Sequence, residues 1–213
     1  TAGEDHLLDQ RLVSYDIRGS IAHAEMLAAQ NLLAADDCRL ICDGLRQLEK
    51  DHAAGNWKIE LQDEDVHTAL ESRLGERIGE TAGRLHLGRS RNDQVLTALR
   101  LYLRDACDQI VLRAQGLCGS LQELARRQGG VAIPGTTHMQ HAMPSSVGLW
   151  SEGFHEAFAD AVDGLAAAKR RIDKNPLGSA AGYGTPGLAL DRELTTQKLQ
   201  FAETQNPVTA VQL

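Results

Sequence analysis

The chain has 213 residues, 42% of them hydrophobic, which is enough for one or two domains with a sizeable core. Its 29 acidic and 22 basic residues leave a formal charge of -7, which excludes a general affinity for nucleic-acid phosphates or anionic membrane surfaces; any anionic ligand must be held by local cations. Cys38, Cys42, Cys107 and Cys118 lack the paired spacings of a zinc site or a secreted disulfide framework, so no metal is expected and reduced thiols in a cytoplasm fit best.

Thr1 to Asp5 include neither an initiator Met nor the basic-then-apolar pattern of a signal peptide, so the stretch is expected to begin inside a longer protein. From there helical periodicity dominates and predicts helices over residues 16–33, 35–53, 63–78, 92–128, 146–171 and 191–200, with strand-like alternation almost absent. Cys38 and Cys42, one helical turn apart, are expected to be buried structural thiols. Gly75, Gly79, Gly83 and Gly88 break up the region that follows, and a boundary is placed near Leu87.

The fourth predicted helix carries Leu96, Leu99, Leu103, Ala106, Ile110, Ala114, Leu117, Leu121 and Leu124 at steps of three or four, a continuous apolar stripe. The fifth repeats it with Val147, Trp150, Phe154, Ala157, Ala161, Leu165 and Ala168. Two such helices cannot enclose their own stripes, so further helices, from more chain or from other subunits, are expected to complete the bundle. Residues 128–151 contain no charged side chain, yet Pro134, Pro144 and several Ser, Thr and His residues exclude a membrane span; a connection beside a binding cleft fits. The glycines between Gly178 and Gly187 lack the preceding strand and Lys-Ser/Thr ending of a phosphate loop.

Three polar segments exceed what a bundle needs. His86-Leu87-Gly88-Arg89-Ser90-Arg91-Asn92-Asp93-Gln94 sits where the long helix begins. Ser90, Asn92 or Asp93 could simply cap it, but free backbone N–H groups beside Arg89 and Arg91 would also make a carboxylate site. In Pro134-Gly135-Thr136-Thr137-His138-Met139-Gln140 the imidazole has the neighbours, Thr137 and Gln140, needed to set its tautomer for proton transfer. In Asp63-Glu64-Asp65-Val66-His67-Thr68-Ala69-Leu70-Glu71 the plain expectation is a helix start with His67 paired to Glu71 one turn on.

These segments, with Pro176-Leu177-Gly178 and Gly184-Thr185, stand in the order and at the spacings of argininosuccinate lyase, which the chain resembles from about Leu8 to Val211. The Gly88-Arg89-Ser90-Arg91-Asn92-Asp93-Gln94 block is the most discriminating. The resemblance implies an all-α fold of the aspartase/fumarase type, with a small N-terminal helical domain over 1–87 and the first long helices of a partial central bundle over 88–213. It implies a cytoplasmic, cofactor-free homotetramer whose active sites are shared between subunits. The implied reaction is cleavage of argininosuccinate to arginine and fumarate by β-elimination, within arginine biosynthesis. Carried over residue by residue, it gives His138 a catalytic role and assigns substrate contact to Asp9, His67, Ser90, Arg91, Asn92, Thr137 and Gln140. The family's catalytic serine loop, Gly-Ser-Ser-x-x-Met-Pro-x-Lys-x-Asn, does not occur between Thr1 and Leu213, so these residues alone are expected to be inactive. Departures occur at Leu87, where Thr is usual, at Asp5 and Gln212, where Ser is usual, and at Thr209, where Asp is usual. A same-fold lyase acting on another succinylated amine, and a non-catalytic crystallin-like scaffold, remain alternatives.

Overall fold

The computed structural model describes residues 3–206, 208 and 209. It is helical, as expected: α1 (Asp5–Leu8), α2 (Val13–Ala29), α3 (Ala35–Ala53), α4 (Val66–Ile78), α5 (Arg91–Gln128), α6 (Val147–Ile172) and α7 (Arg192–Leu199) carry the architecture, with short 3-10 turns at Asp9–Arg11, Leu61–Asp63 and Gly79–His86. The chain divides into two compact units, one made of residues up to Tyr102 together with those from Asp173 on, the other of Leu103–Ile172. α5 contributes to both. The boundary near Leu87 is an expectation about the whole protein and falls inside the first of these units.

In the first unit α2, α3 and α4 pack around Val13, Ile17, Leu27, Ile41, Leu45, Val66, Leu70 and Leu74. Each comes from the apolar face its periodicity defines, and burying such side chains stabilises by about 1.5–3 kcal/mol apiece. Cys38 and Cys42 are buried in this core with their sulfurs 4.0 Å apart, and burial pushes the Cys42 thiol up to about 12. They are packing residues, as their spacing suggested. Asp65 caps α4 by accepting from Thr68 N at 2.7 Å. A second, smaller cluster joins Ala22, Leu101, Leu177, Leu199 and Phe201. Gly88 turns the chain between the 3-10 turn and α5 with φ of +69°, and a Cβ there would lie 3.0 Å from Leu188 Cδ1.

In the second unit the uncharged connection has regular structure, although strand-like alternation is almost absent from the sequence. It forms an antiparallel hairpin, β1 (Ala132–Thr137) with β2 (Gln140–Ser146), and pairs Thr137 opposite Gln140 and Thr136 opposite His141. His138 and Met139 make the two-residue turn with φ of +49° and +59°, the double left-handed pattern of tight hairpins. A bulge falls between Pro134 and Thr136, where a Cβ on Gly135 would meet Met143 O at 2.6 Å. Leu99, Ile110, Leu117, Trp150 and Phe154 of the two apolar stripes on α5 and α6 are exposed, as expected of stripes that two helices cannot cover, and Leu112 and Leu149 beside them are exposed too. Among the described residues no helix is long and apolar enough to cross a membrane.

His23 on α2 gives the fold a pH dependence. Its Nε2 donates to Leu87 O at 2.9 Å, and its Nδ1 has no partner among the described residues. Burial, reinforced by the Arg89 charge, holds its pKa down to about 3. A depressed pKa gives stability that is complete above the unfolded value near 6.5 and is lost as pH falls toward 3. Between neutral pH and about pH 5 the His23 share of this loss is about 2 kcal/mol. Urea unfolding at both pH values should show a smaller drop for His23→Gln than for the unaltered protein; equal drops would show that His23 does not carry it.

Candidate active site in the first unit

The site residues of the first unit gather where the start of α5 meets α4 and α2. Ser90 precedes α5 and its hydroxyl accepts from Asn92 N at 3.2 Å, while Asp93 Oδ1 accepts from Ser90 N at 3.0 Å. This reciprocal capping exposes the first turn of a long helix, whose remaining N–H groups favour anions. Asp93 is fully buried, and its other oxygen accepts from Gly178 N at 3.0 Å and Ala180 N at 2.9 Å. It therefore fixes the 176–182 loop to the same helix end.

Arg91 and Asn92 are exposed on that first turn. Arg91 Nη2 lies 3.4 Å from Glu71 Oε2, and Nη1 reaches Gln94 Oε1 at 3.5 Å. These contacts are long, and a carboxylate ligand can displace them. Arg89 behaves differently from the cation expected at this surface. It is half-buried with Nε enclosed, and donates to Ser20 Oγ at 2.8 Å and to His86 Nδ1 at 3.3 Å. Because a guanidinium only donates, His86 must accept through Nδ1, and its Nε2 faces Glu71 Oε1 at 3.5 Å. Burial, then the Arg89 charge, lowers the His86 pKa.

His67 does not pair with Glu71. Its ring is buried and Nδ1 meets Asp16 Oδ2 at 3.0 Å, a partner 51 residues earlier on α2. The reason is packing: Val66 and Leu70 seat this face of α4 in the core, which turns His67 inward, while Glu71 stays half-exposed beside His86 and Arg91. Gln94 Nε2 donates to Asp16 Oδ1 at 3.0 Å and Oδ2 at 3.1 Å. Burial alone would raise the Asp16 pKa, but the His67 hydrogen bond and charge, the Arg89 charge and the Gln94 amide together bring it below the usual value. Asp16 is therefore an ionised carboxylate inside the protein. Asp9 stands nearby: its Oδ2 accepts from Val66 N at 3.2 Å, and burial raises its pKa against that bond and His67.

Asp9, His67, Ser90, Arg91 and Asn92 thus belong to one unit, while Thr137, His138 and Gln140 occupy the exposed tip of the hairpin in the other. The expected match near the end of the chain falls partly outside the described residues, including Gln212. Sequence reasoning missed Asp16, which reads as an ordinary helix residue, and the inward turn of Arg89 and Gln94. Among the described residues no group of three or more His, Cys, Asp or Glu side chains is arranged to hold a metal ion.

Among curated proteins, the argininosuccinate lyase of Sorangium cellulosum is 44% identical over 202 residues, 95% of this chain and 47% of that protein. That of Thermotoga neapolitana is 39% identical over 209 residues, 98% of this chain and 52% of that protein. The chain thus spans about half the length of the curated relatives it matches. Among solved structures, an EDDS lyase variant with bound fumarate superposes with a TM-score of 0.79 at 28% identity, covering 92% of this chain and 38% of that one. The family model described as lyase matches residues 2–213, so this chain belongs to the lyase family, as an N-terminal portion similar to argininosuccinate lyases.

Proposed function

We propose that the protein containing this chain is a C–N lyase that splits argininosuccinate into arginine and fumarate. The observation that carries the reading is 44% identity to an argininosuccinate lyase across 95% of the chain. In the reaction a base takes a proton from the carbon next to a succinyl carboxylate. The electron pair delocalises into that carboxylate, then re-forms as the double bond of fumarate while the C–N bond breaks and the leaving nitrogen is protonated. The extra carboxylate charge is the main barrier, and fixed donors lower it. Arg91, Asn92 and Ser90 at the α5 start, with Thr137 and Gln140, are suited to hold the carboxylates; His138 would exchange a proton with substrate or a bound water, and His67 and Asp9 would contact substrate. The base itself is assigned to a serine loop whose sequence does not occur in these residues.

The same reading makes the active protein a cytoplasmic homotetramer with sites shared between subunits, with residues 1–87 as its small helical domain and 88–213 as part of a central bundle. The exposed apolar faces of α5 and α6 support that assembly. The likeness to EDDS lyase and the carboxylate at Asp5 favour one second reading, a lyase for a different succinylated amine. Fumarate release by the full-length protein, offered argininosuccinate and then other succinylated amines, separates the two, and release from none removes both.

Arg91→Ala should weaken succinate or fumarate binding to the full-length protein by about 30-fold, the loss of one charge-assisted carboxylate contact of about 2 kcal/mol. Isothermal calorimetry measures it. Unaltered affinity would make Arg91 a structural partner of Glu71 only.

A further inference from the structure

We infer that Asp16 and Gln94 are positioning residues that lock His67 into the tautomer with its proton on Nδ1, so that His67 offers the site a hydrogen-bond or proton acceptor at Nε2. The role in the reaction rests on the lyase reading above; the tautomer does not.

The chain of constraint is geometric. A carboxylate has no hydrogen to give, so the 3.0 Å contact to His67 requires Nδ1 to carry the proton. The same logic orients Gln94, whose amide nitrogen must be the atom facing both Asp16 oxygens and whose carbonyl therefore turns to Arg91. Asp16 cannot rotate away, because both its oxygens are engaged and its side chain is 2% exposed. The arrangement repeats the logic by which a buried carboxylate sets the tautomer of a reacting histidine.

Nε2 makes no hydrogen bond among the described residues, and His67 lines a cavity of about 10 Å³, the size of one water, whose polar walls also include Asp16, Ser20, His86, Arg89 and Gln94. The charged or titratable groups around His67 are Asp16 from α2, Asp9 from the turn before it, Glu71 on α4 itself, and His86 and Arg89 from the segment leading into α5. With Nδ1–H committed to Asp16, the neutral form of the ring presents only an acceptor at Nε2 and in that form cannot donate to a substrate carboxylate. It accepts from a water or from an N–H of the leaving amine, which separates its work from that of Arg91. Gln94 touches both, so the carboxylate-binding cation and the accepting imidazole are set by one buried network.

Two measurements on the full-length protein test this. The first is the ¹⁵N histidine spectrum at about pH 8, with His67 assigned by its loss in His67→Asn. One protonated Nδ1 and one bare Nε2 are expected, with a second tautomer appearing in Asp16→Asn, whose amide can also donate. A proton on Nε2 in the unaltered protein would overturn the inference whatever the substrate proves to be. The second is turnover. Asp16→Asn should lower kcat by about 10–100-fold, the range seen for partners that orient metal-bound histidines. It should lower it no further once His67 is Asn, because the carboxylate acts through the ring. Additive losses, or an unchanged kcat, would overturn the role. Should Asp16→Asn not fold, Gln94→Met removes the orienting amide at equal net charge, and the same cycle with His67→Asn applies. A full-length protein that releases no fumarate would sink the proposed reaction, while the spectrum would still decide the tautomer.

Discussion

His138→Asn in the full-length protein is expected to cut fumarate release by about 10²–10⁴-fold while leaving the thermal unfolding midpoint unchanged or slightly raised. The two halves have separate causes. The amide cannot carry a proton between substrate and solvent, which removes the contribution a positioned acid or base makes. The fold half follows from the backbone: His138 sits at φ of +49° in a two-residue hairpin turn, and Asn tolerates that left-handed conformation better than most residues. Its side chain is exposed at the tip, so no core contact is lost. Turnover and a melting curve on the same preparation decide the matter. Turnover within a factor of about two of the unaltered enzyme would remove His138 from the mechanism, and a large fall in melting temperature would make the residue structural.

Asp93→Ala should have the largest effect on stability, about 3–5 kcal/mol. Asp93 is fully buried and accepts three backbone N–H bonds, from Ser90, Gly178 and Ala180, at 2.9 to 3.0 Å. Truncation leaves these donors with no acceptor in a place water enters poorly, and a stranded buried donor costs about 1–3 kcal/mol. Gly178 and Ala180 also hold φ of +85° and +52°, a conformation that Asp93 helps to maintain. Urea unfolding measures the loss. A change under about 1 kcal/mol would mean the loop is held by other contacts, such as those of Arg192 to Leu177 O and Asn175 O.

Local features were legible and long-range polar pairings were not. The helix expected over 35–53 is observed at Ala35–Ala53, and the long one expected from 92 begins at Arg91, because amphipathic periodicity and a capping Ser are written within a few residues of each other. The hairpin was not legible. Its turn is His-Met, without the Asn-Gly or Asp-Gly that signals left-handed φ, and its two prolines and glycine read as a loop. His67 shows the same limit in the site: Glu71, four residues on, was the natural partner by sequence, yet the core turned the ring toward Asp16.

The sequence by itself determined the helical class, the resemblance of the family blocks and the place of Arg91 at the start of the long helix. Each of these is recorded in spacing along one stretch of chain. Only the tertiary structure decided that Arg89 turns inward to Ser20 behind that helix end, that Asp93 ties it to a loop about 85 residues later, and that His67 and Gln94 share the buried Asp16 carboxylate. The physical reason is that a buried charge must find its hydrogen-bond partners wherever packing brings them, and packing joins elements whose separation along the chain carries no periodic signal.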